Sequence, residues 1–295
     1  MKPAPFDYVA PRTVAEAVDH LARHGDDARV LAGGQSLVRL MNTRLATPAV
    51  IVDINRVEGL DAIEAENGSI RIGATARQRA AELHELVRSG APLFARAGEH
   101  VAHPSVRRRG TVVGSIAFAD PSAELPAALL ALDGEAVVAG PDGERTVAAA
   151  DLFTGAFRTS LAAGELITAV RVPHGGHGPT GSAWTEISRR QGDLPVCGVG
   201  AVVTLGDDGT VARARIALCG VGDTPVRATA VEEALAGADP TKDAIAAAAD
   251  SAARDLDPPS DPHGSAGYRR HLAVVMTRRA VSEAAARARE GAQNA

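Results

Sequence analysis

Two glycine-centred segments hold most of the residues that could do chemistry in this 295-residue chain. The first is Leu31-Ala32-Gly33-Gly34-Gln35-Ser36-Leu37. Glycines let a ligand approach the backbone, and successive exposed N–H groups form a concavity that binds anions such as phosphate. Gln35 and Ser36 can add side-chain donors. The second runs from Arg107, Arg108 and Arg109 through Gly110, Thr111, Val112, Val113 and Gly114 to Ser115. It sets glycines and hydroxyls behind a basic run, which is either a solvated surface or a positive setting for a diphosphate. Two such loops suggest a dinucleotide held between two subdomains. Neither follows G-x-G-x-x-G, which disfavours a Rossmann domain.

The remaining reactive residues offer less. Cys197 and Cys219 are far apart and lie in apolar runs. They read as buried small hydrophobes, which points to a reducing compartment and away from an iron–sulfur or zinc site within the chain. His174 and His177 have metal-pair spacing, but no cysteine or carboxylate accompanies them. His103, before Pro104, reads as a structural hydrogen-bonder. No nucleophile–base constellation is visible, which suits a protein whose cofactor carries the chemistry.

The elements that must position the loops follow from periodicity. Thr13 and Glu16 form a capping box, after which Val14, Ala17, Val18, Leu21 and Ala22 share a helical face that ends at Gly25. Apolar runs at 29–31, 50–54 and 70–72 read as strands. Thr75 to Gln78 opens a second helix by the same capping logic, and Pro92 lies near the start of a third. Residues 135–139 and 144–148 flank a Gly-Pro-Asp-Gly turn, and 197–205 and 211–218 flank Gly206-Asp-Asp-Gly209, giving two hairpins. A strand over 166–172 stops at Pro173. The turn-rich stretch 174–179 is the candidate linker. Helices follow over 229–236, 241–254 and 268–286. Tyr268, Leu272, Val275 and Met276 form a buried stripe on the last of them. Arg269, Arg270, Arg278 and Arg279 are either solvated or partner-facing, and Trp184 reads as core. The organisation is two α+β domains, 1–177 and 178–295.

Bulk properties exclude several classes. A net charge of -5 gives no sign of nucleic-acid binding. No apolar run approaches the roughly 20 residues of a membrane helix. The first eleven residues lack an apolar signal core, so a cytoplasmic location is expected.

The chain resembles, almost end to end, the medium, FAD-binding subunit of the carbon monoxide dehydrogenase and xanthine dehydrogenase family of molybdenum hydroxylases. The residues that carry the resemblance are Ala32 to Ser36; Leu45, Ala46 and Pro48; Val52 to Ile54; Ile72 to Thr75 with Arg77; His103, Pro104, Arg107 and Arg109 to Thr111; and Ala119 to Pro121 with Ala123 to Pro126. In the second half they are Ser188 to Arg190, Gly192, Asp193, Ser265, Ala266, Tyr268 to Leu272 and Thr277 to Arg279. The resemblance implies an α+β chain: a two-subdomain FAD-binding fold of vanillyl-alcohol oxidase type, then a smaller α+β C-terminal domain. It implies that FAD is bound non-covalently, with Leu31, Ala32, Gly33, Gly34, Gln35, Ser36 and Leu37 on the diphosphate and Thr111, Gly114 and Ser115 completing that grip. Val101 and Ala102 would lie against the flavin or its chain. Asp120 and Glu124 would hydrogen-bond the adenosine half. Leu166 and Ile167 would pack on the adenine or ribityl region. The molybdenum–pterin centre and the [2Fe–2S] clusters would sit on partners, a large molybdenum-binding subunit and a small iron–sulfur subunit, in a dimer of heterotrimers.

The sequence departs from that pattern at three places. Val113 stands where the second loop commonly has a glycine. Leu194 and Pro195 follow Gly192-Asp193, where an aromatic residue near the flavin is common. Thr185 and Glu186 replace a lysine, which leaves the phosphate cation missing or supplied by Arg29. These departures keep two alternatives open: a stand-alone flavin oxidase or dehydrogenase acting on a small molecule, and a flavin-free assembly scaffold.

Overall fold

Thr13 starts the first helix as its hydroxyl predicts, accepting the Glu16 N–H at 3.1 Å. The Glu16 carboxylate returns to the Arg12 N–H at 2.7 Å, one residue earlier than the standard capping box. This computed structural model describes residues 2–174, 178–254 and 256–293. The candidate metal pair of His174 and His177 therefore lies partly outside the described residues.

Three sheets organise the chain. The first is parallel, with β1 (Asp7–Val9) and β2 (Ala28–Leu31) flanking β3 (Val50–Asp53). Its first crossover is the amphipathic helix Val14–His24, whose Ala17, Val18 and Leu21 are buried. The second sheet is antiparallel, built from β4 (Ile63–Glu66), β5 (Ser69–Gly73), β6 (Glu135–Gly140) and β7 (Gly143–Ala148). After a small hairpin of β8 (Phe153–Gly155) and β9 (Arg158–Thr159), strand β10 (Leu166–Pro173) inserts between β5 and β6. Helices fill the span between β5 and β6, among them Gln78–Leu83, Pro92–His100, Val112–Phe118 and Glu124–Ala131. The third sheet is antiparallel, in the order β11 (Thr180–Ile187), β12 (Cys197–Leu205), β13 (Val211–Cys219) and β14 (Val226–Arg227). The helix Ala266–Gln293 lies across it, so close that a Cβ on Gly181 would strike the helix backbone at Ala284 and Ala288.

Two apolar cores result. One fills the first two sheets and their helices; the other belongs to the third sheet and the last helices. Trp184, Ala217 and Cys219 of the third sheet pack into the first core, which joins the halves. Polar contacts reinforce the joint. Asp133 takes Arg215 at 2.8 Å and Arg227 at 2.6 Å from the far side, and Arg96 donates to Ser182 at 2.8 Å.

Several expectations change on this fold. Thr75 caps nothing: it is buried in the turn after β5, and the second helix begins at Gln78 behind Arg77. Strand β11 and the helices at 112–118 and 124–131 were not foreseen. Tyr268 is exposed rather than part of the buried stripe. Arg269 is neither solvated nor partner-facing. It is buried, and its guanidinium holds the carbonyls of Val196 and Gly220 at 2.6 and 2.7 Å and Asp261 at 2.7 Å.

Candidate FAD site

The first glycine segment forms the turn between β2 and the short helix Leu37–Thr43. A parallel strand ending in a turn leaves its amides without ladder partners. Among the described residues, none of the amides of residues 33–37 donates to a protein acceptor, whereas Val38 N–H returns to the Gly34 carbonyl at 3.2 Å. Gly34 sits at φ +69°, where glycine is favoured. Five successive N–H groups without a protein acceptor are the donors that an anion cradle for a diphosphate requires. Gln35 spends one amide donor on the Gly33 carbonyl at 3.1 Å. The Ser36 hydroxyl makes no capping bond and remains able to donate.

The second segment lies directly on the first. A Cβ on Gly33 would fall 2.5 Å from the Arg109 carbonyl oxygen, 2.8 Å from the Gly110 Cα and 2.9 Å from the Thr111 nitrogen. Its own amides are mostly spoken for. Val112 N–H goes to the Ala76 carbonyl at 3.1 Å, Gly114 N–H to the Thr111 hydroxyl at 3.1 Å and Ser115 N–H to the Thr111 carbonyl at 3.2 Å. Thr111 thus caps the helix Val112–Phe118, and its hydroxyl keeps a proton to give. The first loop leaves its amides free, whereas the second spends most of its own and packs against the first. Val113 does not face this surface: its side chain is buried in the first core.

A polar chain that the sequence reading missed ties the two loops together. Tyr8 donates to Asp53 at 2.5 Å, and the other Asp53 oxygen accepts the Asn55 N–H at 2.9 Å. Burial pulls the Asp53 carboxyl up, but the Tyr8 and Asn55 hydrogen bonds outweigh it and hold the group below its usual range. The Asn55 side chain donates to the Ala32 carbonyl at 2.9 Å and accepts from Arg77 at 2.7 Å, and Arg77 also donates to the Arg109 carbonyl at 2.8 Å. The turn just after Asp53 was the one local signal, since Asp commonly binds the N–H two residues on. The reach of Arg77 to residue 109 leaves none. An open cleft of about 480 Å³ borders Asn55 and Arg77, but none of the predicted residues lines it.

The other predicted residues fall in different settings. Val101 and Ala102 are half-buried, Ala102 with φ +45°, and their carbonyls are gripped by Arg107 at 2.8 and 2.9 Å. Arg107 is buried and paired with Glu82 at 2.9 Å, so it shapes this turn and is neither a solvated residue nor a free phosphate cation. Arg108 and Arg109 are exposed. His103 is exposed and lies under Gly192, whose added Cβ would come within 2.9 Å of it. Half-buried Asp120 accepts the Ser122 N–H at 2.9 Å, and burial raises its carboxyl. Glu124 is buried, and burial pushes its carboxyl up to about 8. Leu166 and Ile167 are core residues of β10. Arg29 is not brought to the cradle: it sits at the opposite end of β2, with its guanidinium on the Asp26 and Ala28 carbonyls, both at 2.7 Å. Leu194 is exposed.

Comparison with known proteins shows the family. Residues 4–175 match the family described as the FAD binding domain in molybdopterin dehydrogenase, and residues 182–284 match the CO dehydrogenase flavoprotein C-terminal domain. The chain is 42% identical to the 6-hydroxypseudooxynicotine dehydrogenase complex subunit alpha of Paenarthrobacter nicotinovorans, over 98% of this chain and 97% of that one. A structure of carbon monoxide dehydrogenase from Hydrogenophaga pseudoflava, lacking the Mo-pyranopterin moiety of its molybdenum cofactor, superposes with a TM-score of 0.94 at 40% identity, covering 97% of this chain and 99% of that chain. Quinoline 2-oxidoreductase from Pseudomonas putida 86 superposes at 0.91 and 34% identity, covering 97% and 99%.

Proposed function

The chain belongs to the FAD-binding medium subunits of the carbon monoxide dehydrogenase and xanthine dehydrogenase family of molybdenum hydroxylases, and from that premise we propose how its residues serve FAD. It takes electrons from the [2Fe–2S] clusters of a small partner subunit and passes them to an external acceptor. Substrate oxidation belongs to a large molybdenum–pterin subunit, and the assembly is a dimer of heterotrimers. The FAD is held non-covalently and supplies the redox chemistry. The observation that carries the reading is the row of free amides over residues 33–37, backed by a second loop in van der Waals contact.

In this reading Leu31 to Leu37 bind the diphosphate through backbone N–H groups and the Ser36 hydroxyl. Thr111, Gly114 and Ser115 hold that cradle in place, and the hydroxyls of Thr111 and Ser115 add donors. Val101 and Ala102 form a wall whose position Arg107 sets. Asp120 and Glu124 offer hydrogen bonds at the edge of the cofactor, Glu124 as a neutral acid that can donate. Leu166 and Ile167 back the site from the core without a free face. Arg29 has no part in the grip. Backbone amides then carry the phosphate charge in place of the missing lysine. The halves 1–177 and 178–295 act as the FAD-binding domain and the C-terminal domain, a division supported by the ranges of the family matches. A cytoplasmic location is proposed with it, supported by two free, buried cysteines.

Relatives named as subunits of complexes favour this role over a self-sufficient oxidase. The test is an absorbance spectrum of the purified chain before and after FAD is added. Flavin bands that persist through gel filtration, with FAD released on heating, are expected. A chain that takes up no flavin, alone or co-expressed with its partners, would leave only the scaffold.

A further inference from the structure

The loop between β11 and β12 leaves its own half of the chain and rests on the other. Its base is closed by the Val196 N–H on the Ile187 carbonyl at 2.7 Å. Its tip is closed on the Arg190 carbonyl, by the Ser188 hydroxyl at 2.9 Å and the Asp193 N–H at 3.0 Å. Gly192 at the tip has φ +86° and no room for a side chain. An added Cβ would lie 2.9 Å from the His103 imidazole and 3.2 Å from the Ala102 carbonyl carbon. The tip is thus seated on the turn assigned to the flavin wall, Val101 and Ala102. From His103 the chain runs straight into the helix Pro104–Arg107, where the Arg108 N–H closes a turn on the Pro104 carbonyl at 3.1 Å and Arg109 follows.

Exposed charges flank this contact from both halves: Arg108 and Arg109 on one side, Arg189, Arg190 and Asp193 on the other. Among the described residues, no carboxylate pairs with any of these four guanidiniums. Four arginines against one aspartate leave the patch at +3, on a chain whose net charge is -5. Leu194, 53% exposed, stands beside them. A permanent subunit interface buries a mostly apolar core, and taking four unpaired guanidiniums out of water there would be costly. A transient electron-transfer contact is smaller, keeps its charges wet and uses them to steer the partner.

We propose that this patch docks an acidic electron-carrier protein, the external acceptor that oxidises the flavin. The proposal rests on the reading that Val101 and Ala102 border the flavin, and it adds the chemical class of the acceptor. Acidic side chains of the carrier meet Arg108, Arg109, Arg189 and Arg190, and Leu194 supplies the apolar contact. Each FADH2 gives one electron to each of two carriers and releases its two protons to water, so no other reactant is consumed.

The test uses the full chain loaded with FAD, with flavin counted on every variant, and reduced without air by one equivalent of dithionite. The probe is cytochrome c in two forms, the native basic protein and its lysine-succinylated acidic derivative, which share one haem and differ in surface charge. Stopped-flow absorbance follows haem reduction. The acidic form is expected to react at least about tenfold faster at low ionic strength, the low end of electrostatic steering. That advantage should vanish near 1 M salt, where the screening length is about 3 Å. The net charge of the whole chain predicts the reverse order. R189Q/R190Q is expected to lose most of the advantage while flavin content and co-elution with the two partner subunits stay unchanged. A native cytochrome that reacts as fast or faster, or an advantage that the variant keeps, would overturn the proposal. So would a variant that no longer assembles, because the arginines would then belong to a subunit interface. A wild-type chain that retains no FAD would instead remove the premise, and the flavin count tells that failure from the others.

Discussion

Replacing Gly33 with alanine tests the two-loop site most directly. The new methyl group would lie 2.5 Å from the Arg109 oxygen, 2.8 Å from the Gly110 Cα and 2.9 Å from the Thr111 nitrogen. Carbon atoms pack at about 3.5–4.0 Å, so the second loop must retreat by roughly 0.7 Å or more. All three obstacles are backbone, and that backbone is pinned by Gln78 N–H to Gly110 at 2.9 Å, by Val112 N–H to Ala76 and by Arg77 to Arg109. Overpacking of this kind costs about 1–3 kcal/mol. If the cost falls on the gap between the loops, FAD affinity drops by about 5- to 150-fold, at roughly 1.4 kcal/mol per tenfold. If it falls on the apo fold, the melting temperature drops instead. Fluorescence titration with FAD and thermal unfolding of the apo chain measure both shares. Gly34→Ala is the comparison: its φ of +69° carries a backbone penalty of about 1–2 kcal/mol, but its methyl meets only side-chain atoms, at 3.2 and 3.3 Å. A Gly33→Ala chain with wild-type Kd and wild-type melting would refute the reasoning, because the clash has no third place to go.

Three further outcomes follow from the same contacts. Asn55→Ala cuts the bonds to the Ala32 carbonyl and Arg77, and at about 1 kcal/mol for each net hydrogen bond FAD should bind about 5- to 30-fold more weakly; an unchanged titration would remove Asn55 from the brace. Gly98→Ala should stabilise the chain by about 0.5–1 kcal/mol, since the position is helical and nothing lies within 4 Å of the added methyl, and a lowered melting temperature would contradict this. Glu124 titrates near 8 in the fold against an ordinary value of 4.5, so the native state holds its proton more tightly than the unfolded chain does. The stability this gives is complete below 4.5 and is lost as pH rises towards 8, at up to about 1.4 kcal/mol per pH unit. Glu124→Gln should therefore flatten the stability profile of the apo chain over that window, and parallel profiles for the two proteins would refute it.

What could be read in advance was what the chain encodes locally. The Thr13 hydroxyl, the apolar runs at 29–31, 50–54 and 70–72 and the two Gly-Asp turns each act within a few residues, and each element formed where its pattern lies. Local signals failed where tertiary burial decides. Thr75 carries the pattern of a cap, but the turn from β5 buries it. Arg107 and Arg269 look like surface charge, yet each finds backbone carbonyls or a carboxylate far along the chain and can be buried because those partners satisfy its donors. Arg29 was the available cation by sequence, but its strand places it at the end away from the cradle.

Val113 shows why a departure in a glycine loop need not harm the ligand. At a helix start, successive residues turn about 100° around the axis, so one can face the core while the next meets the ligand. Val113 takes the core side, and Gly114 sits where a side chain would collide with the Thr111 hydroxyl that caps the helix. The glycine the geometry demands is therefore at 114, and it is present. The demand at Gly33 has the same origin, since the approach of one backbone to another excludes the methyl group there before any phosphate arrives. The cradle is a property of main chain packed on main chain. Side chains around it can change while the five free amides stay in place.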